Sequence, residues 1–208
     1  GYLSALALGL GYPVWYLAAF LGGLAAYAIV ISIASIAGLT SLALIVVGVA
    51  LSYALSSLLV IAIFLLGPQL GLAMVWLFGT VAYTPKTEST LLSVAVLASL
   101  ILVAVNRGAL TALLLGEEVS KAMGVNVEAL RLSMTAIVAF TVSLITAVSG
   151  PVGFVGLTAP WIARVTVGAS FNRLLVASTI VGAILVLGSD IVVRVVAGGR
   201  ELPLTAIT

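Results

Sequence analysis

The stretch that decides how this chain folds is GEEVSKAMGVNVEALR, Gly116–Arg131. Three of the six acidic residues, Glu117, Glu118 and Glu128, and two of the eight basic ones, Lys121 and Arg131, fall inside it. On either side charge all but disappears: residues 1–85 and 132–163 contain no Asp, Glu, Lys or Arg. A polar island in so apolar a chain belongs in water, either as an ordinary solvated loop or as a docking surface for a soluble partner. The apolar flanks belong in a different solvent.

Composition says which. The chain is 63% hydrophobic and 7% charged, with a mean hydropathy of +1.40. Soluble domains carry about 25% charged residues, so the class is integral membrane. Lipid satisfies no backbone polar group, which leaves helical bundles and closed barrels. Barrel strands alternate apolar and polar over ~10 residues. The apolar runs here are continuous, so the fold class is an all-α polytopic bundle.

Enzyme chemistry finds no footing. The 208 residues contain no cysteine and no histidine, which removes thiol ligands, the commonest metal ligand and the commonest acid–base group. No Gly-Lys-Ser/Thr phosphate loop is present. Asp190 is the single Asp, so no aspartyl dyad can form. We expect no catalytic residues, no metal site and no directly bound cofactor. A net charge of +2, thinly spread, leaves no nucleic-acid footprint. The chain opens at Gly1 without a basic leader and stops in mid-pattern at Thr208, as a fragment of a longer protein would.

In order, Gly9, Gly11 and Pro13 break the first apolar run, so Gly1–Leu10 reads as the end of a span. Val14–Ala37 and Leu42–Leu66 are full spans separated by the turn Gly38–Ser41, and Gly67-Pro68 stops the second. Gly71–Thr80 is too short to cross and reads as a re-entrant or surface helix, with Trp76 near the interface. Tyr83–Ser89 is an aqueous turn, Thr90–Val105 a span, and Asn106–Gly108 its end. Within the island, Glu117 and Lys121 are spaced i,i+4 in the favourable order. Gly124 suits the left-handed residue that closes a helix. Asn126 suits the N-cap of a second short helix, with Glu128 in its first turn. A sharp elbow is therefore expected at Gly124.

Leu132–Ser149 is a span. Gly150, Pro151, Gly153 and Gly156 then break the chain before a shorter apolar segment, Phe154–Val167, interrupted by Pro160. These glycines either let helices pack closely or mark a broken helix beside a pathway. Gly168–Arg173 is a loop. Leu174–Val196 is a span carrying Asp190 and Arg194, which are i,i+4 and suit a structural ion pair near the membrane or a surface for an external partner. Counting basic residues in short loops, placing the island inside also puts Arg107, Lys121, Arg131, Arg164 and Arg173 inside, against Lys86, Arg194 and Arg200 outside.

Several of these stretches, in order and at fitting spacing, resemble the permease subunits of type II ABC importers for iron-siderophores, haem and cobalamin. They are LGEEVSKAMGVN (Leu115–Asn126), GPVGFVGLTAPWIAR (Gly150–Arg164), DIVVR (Asp190–Arg194), ELP (Glu201–Pro203) and WLFGT (Trp76–Thr80). Trp161 stands where that family usually has His, and we read it as a packing residue. The resemblance covers essentially all 208 residues and implies a single permease domain of the ten-helix kind, lacking here its first spans and most of its last. It implies a homodimer in the cell (inner) membrane, multi-pass in the lipid bilayer. A separate ABC ATPase would supply ATP and Mg, and a periplasmic or cell-surface binding protein would deliver the chelate.

By the same resemblance, residues 116–131 are cytoplasmic coupling helices, with Glu117, Glu118, Lys121, Gly124 and Asn126 facing the ATPase. Arg194 is the expected binding-protein contact. Trp76, Gly79, Gly150, Pro151, Gly153, Gly156 and Pro160 are expected beside the pathway or gate. The rival expectation is an ion-coupled secondary transporter. Such proteins carry ionisable groups near the midplane, and the charge-free stretches count against it.

Overall fold

The computed structural model describes residues 12–65, 77 and 86–196. Every regular element among them is helical: α1 (Tyr12–Ile36), α2 (Ser41–Leu65), α3 (Lys86–Val105), α4 (Arg107–Leu114), α5 (Glu117–Ala122), α6 (Val127–Ser149), α7 (Val155–Val167) and α8 (Phe171–Val196). Five contain segments long and apolar enough to cross a membrane: Val14–Ile36, Ser41–Phe64, Lys86–Val105, Val127–Ser149 and Phe171–Val193. At 1.5 Å per residue, a 25-residue helix such as α1 or α2 rises about 37 Å, more than the ~30 Å hydrocarbon core. Neither has a charged residue or a polar face. Large side chains such as Leu17, Ile45 and Phe64 stand exposed on them, as lipid-facing helices require.

Of the described residues, 12–65 and 131–148 form one compact unit, and 77, 86–130 and 149–196 form a second. In the first, α1 runs antiparallel to α6. The Phe20 and Phe140 rings meet edge-on with centroids 5.4 Å apart. A Cβ placed on Gly23 would sit 2.4 Å from Ser143 Oγ and 2.9 Å from its Cβ, so the two helices touch where Gly23 has no side chain. The Tyr27 hydroxyl lies 3.2 Å from the Leu132 carbonyl and 3.1 Å from Thr135 Oγ1. In the second unit α7 and α8 form the most extensive helix pair. Ala159 and Ala163 are buried, and a Cβ on Gly182 would lie 3.7 Å from that of Ala159. Small residues bring the backbones together where lipid offers no hydrophobic drive.

Several boundaries differ from the sequence expectation. The turn read at Tyr83–Ser89 is already helical from Lys86, so α3 starts earlier than Thr90. Glu88 in its first turn favours that start through the helix dipole. Asn106 interrupts the helix for one residue only, and the amphipathic α4 follows at once. The second short helix expected after Gly124 is not separate: Val127–Ser149 is one continuous helix, joining the island to the next span. Phe171–Arg173 opens α8 rather than ending a loop. Gly156 lies inside α7, so the break is confined to residues 150–154, where Gly150 and Phe154 have φ of +74° and +60°. Trp161, read as packing, is 68% exposed within the chain.

The Gly23 contact gives a test. Gly23→Ala should destabilise the detergent-solubilised full-length protein by about 1–3 kcal/mol through overpacking, seen as a lower Tm. Adding Ser143→Gly should restore most of the loss. An unchanged Tm in the single variant would mean that α1 and α6 do not touch there.

Candidate functional site

The island folds as its sequence predicts at the elbow. α5 is capped at its end by a Schellman arrangement in which the Val125 amide donates to the Ser120 carbonyl and the Gly124 amide to the Lys121 carbonyl, both at 3.0 Å. That closure needs a left-handed residue, and Gly124 has φ +82° with open space around it. A β-branched side chain there would be strained by backbone conformation rather than by crowding. Asn126 Oδ1 then accepts from the Ala129 amide at 3.0 Å and caps α6. Glu128 sits in the first turn of α6.

The outward face is charged. Glu117 and Lys121 pair at 3.3 Å while both stay substantially exposed, 42% and 57%. An exposed i,i+4 pair stabilises a helix by only about 0.3–0.5 kcal/mol, and this one leaves both charges at the surface. Glu118 is exposed beside it. The inward face is dry: Ser120 is fully buried and Val127 nearly so. Among the described residues the Ser120 hydroxyl has no hydrogen-bond partner.

Arg131 does not behave as a solvated basic residue. It is 8% exposed, and its Nη1 donates to the carbonyl of Leu39 in the α1–α2 turn. Its own carbonyl accepts from Thr135 Oγ1 at 2.8 Å. The turn it reaches is a second Schellman closure, with Leu39 N donating to the Ala34 carbonyl and Gly38 N to that of Ser35. Leu39 itself has φ +53°, which costs a non-glycine residue about 1–2 kcal/mol. A hydrogen bond from a charged donor is worth about 1.5–3 kcal/mol, enough to offset that strain.

Near the island in sequence, a cleft of about 390 Å³ lies between the end of α4 and the α7–α8 turn, lined by Thr111, Leu114, Leu115, Arg164, Ser170 and Asn172 among others. It brings Leu115, the neighbour of Gly116, to Arg164 and the start of α8. Arg164 and Arg173 are therefore at the island's end of this unit, as the basic-residue count required. Asp190 lies seventeen residues beyond Arg173, about 25 Å along α8, and Gly150 follows the far end of α6. Gly150 and Asp190 thus stand well away from the coupling stretch, whereas Pro160 lies one helical turn from Arg164. Asp190 is half-buried and partnered. The side chain of Arg194, and Trp76, Gly79 and the ELP motif, lie outside the described residues.

Comparison with known proteins gives the family. Residues 2–208 match the model of the FecCD transport family. The chain belongs to that family. It is 35% identical over 199 residues to the vitamin B12 import system permease protein BtuC of Vibrio cholerae, covering 94% of this chain and 60% of the relative. It is 32% identical over 190 residues to the Fe(3+)-citrate import system permease protein YfmD of Bacillus subtilis, covering 91% and 57%. The fold superposes with a TM-score of 0.89 and 27% identity on a structure described as an inward-facing conformation of a metal-chelate type ABC transporter, over 99% of this chain and 66% of that one. This member is a multi-pass membrane protein, and the chain spans a little over half the length of these two permeases.

Substitution at the elbow is directly readable. Gly124→Val should cost about 1–2 kcal/mol by forcing an L side chain into the left-handed region. Asn126→Ala should cost about 1 kcal/mol by removing the cap, whereas Asn126→Asp should be near neutral. Amide hydrogen exchange at Val125 and Ala129 in the full-length protein measures both, and unchanged protection would contradict the closure described.

Proposed function

We propose that the chain forms part of the transmembrane permease subunit of an ATP-driven importer in the cell (inner) membrane, passing a metal chelate inward by alternating access. The observation that carries this reading is the charged, closed α5–Gly124–α6 elbow, at the start of a membrane-length helix in an otherwise nearly uncharged chain. The named cargoes of the relatives, vitamin B12 and ferric citrate, are both metal chelates, and they support iron-siderophore, haem or cobalamin as the substrate class. The chain contributes a route and no bond chemistry; ATP and Mg belong to a partner ATPase.

In this reading Glu117, Glu118, Lys121, Gly124 and Asn126 form the ATPase contact. ATP binding in the partner displaces the elbow, and helices packed through small residues move as rigid bodies. A partner can drive such a change only by binding the two states differently. A homodimer encloses the pathway, and a binding protein docks at the opposite end, with Arg194 as its contact.

Residues 150–154 suit a pathway or gate for a physical reason. α7 has 13 residues and rises only about 20 Å, short of the ~30 Å core. The remaining depth falls to irregular backbone, which membranes tolerate only where protein buries it or a water-filled cavity receives it. Gly150 is buried, and Pro151 and Gly153 partly so. Trp76, Gly79, Gly156 and Pro160 complete the proposed pathway or gate set.

The test is co-purification of the full-length protein in mild detergent, with subunits identified by mass spectrometry. An ATPase should be recovered. Glu117→Lys with Glu118→Lys, or Gly124→Val, should lower its recovery or its transport-coupled hydrolysis about 5–150-fold, the range of a typical coupling free energy. Solute movement driven by an ion gradient, with no nucleotide-binding partner, would replace this reading with a secondary transporter.

A further inference from the structure

We infer that Arg131 is a positioning residue that makes the α1–α2 turn move with the elbow end of α6. The inference rests on the reading of the elbow as the ATPase contact. α6 begins at the Asn126 cap and is unbroken to Ser149, so displacing the elbow displaces Arg131, about 7 Å further along the same helix. The Arg131 side chain is buried and ends on the carbonyl of Leu39. That carbonyl belongs to a left-handed non-glycine residue between the Schellman closure of α1 and the Thr40 cap of α2, where Thr40 Oγ1 accepts from the Ala43 amide at 3.1 Å.

The turn is therefore closed on both sides by short-range bonds, and it moves as a piece. A second tie lies next to the first: Thr135 Oγ1 bonds the Arg131 carbonyl and approaches the Tyr27 hydroxyl of α1. Together these hold the last turns of α1 to the first turns of α6 at two points. A guanidinium suits this role because it presents several donors in a fixed plane. A motion begun at the elbow thus reaches the ends of two apolar helices that carry no charge of their own.

The experiment uses the full-length permease reconstituted with its ATPase and binding protein in proteoliposomes, reading substrate moved per ATP hydrolysed. Arg131→Met should lower that ratio about fivefold or more with ATPase association retained, and Arg131→Lys should recover part of it. Adding Leu39→Gly to Arg131→Met relieves the left-handed strain; it should restore thermal stability but not the ratio. A wild-type ratio in Arg131→Met, or its full recovery on adding Leu39→Gly, would overturn the inference by reducing Arg131 to a stabilising contact.

Should Arg131→Met fail to reach the membrane, spin labels at the exposed positions Leu42 and Leu132 in the otherwise native protein read the same point. Their separation should be equal in nucleotide-free and ATP-trapped complexes, and a state-dependent separation overturns the inference. A native permease that recovers no ATPase overturns the reading of the elbow and this inference together, whereas an associated ATPase with an indifferent Arg131 overturns this inference alone.

Discussion

Lipid accepts no hydrogen bond from a peptide N–H, and that constraint arranges everything else in this chain. Each long apolar run has to bond its own backbone, so it becomes a helix, and each helix has to end where its last carbonyls can be satisfied. The two best-defined ends, at Gly38 and at Gly124, use the same six-residue closure. Both place a glycine in the left-handed region, where a Cβ would be opposed. The ends of helices are thus built locally, and at these two closures the chain turns within a few residues.

A tight closure next to a long helix has a mechanical consequence. The Gly124 elbow passes from a charged, water-facing helix into a membrane-spanning one within four residues, and α6 carries on without a break. Nothing soft intervenes to absorb a push. By contrast, the irregular stretch at residues 150–154 joins α6 to a helix too short to cross alone. The chain therefore has a closed joint at one end of α6 and an irregular one at the other.

Much of this was legible in the residues. The class followed from 7% charge, the positions of the spans from apolar runs of the right length, and the elbow from Gly124 and Asn126 acting through their nearest neighbours. Where helix starts were misplaced, at Lys86 and Phe171, polar residues had been assigned to loops. They fit instead into first helical turns, where acidic groups and unpaired amides are accommodated. Membership of the FecCD transport family was likewise carried by short motifs whose order survives although the chain spans only part of its relatives.

By itself, then, the sequence determined the solvent, the helical class, the number of long crossings among the described residues and the local closures, because each depends on side chains within a few positions of one another. Only the tertiary structure decided what Arg131 does and where Gly23 meets Ser143. Those facts join residues far apart in sequence: Arg131 is 92 positions from Leu39. An arginine in a polar island looks solvated on paper. Its burial is decided by a carbonyl that another helix end leaves pointing towards it, and no local pattern encodes that meeting.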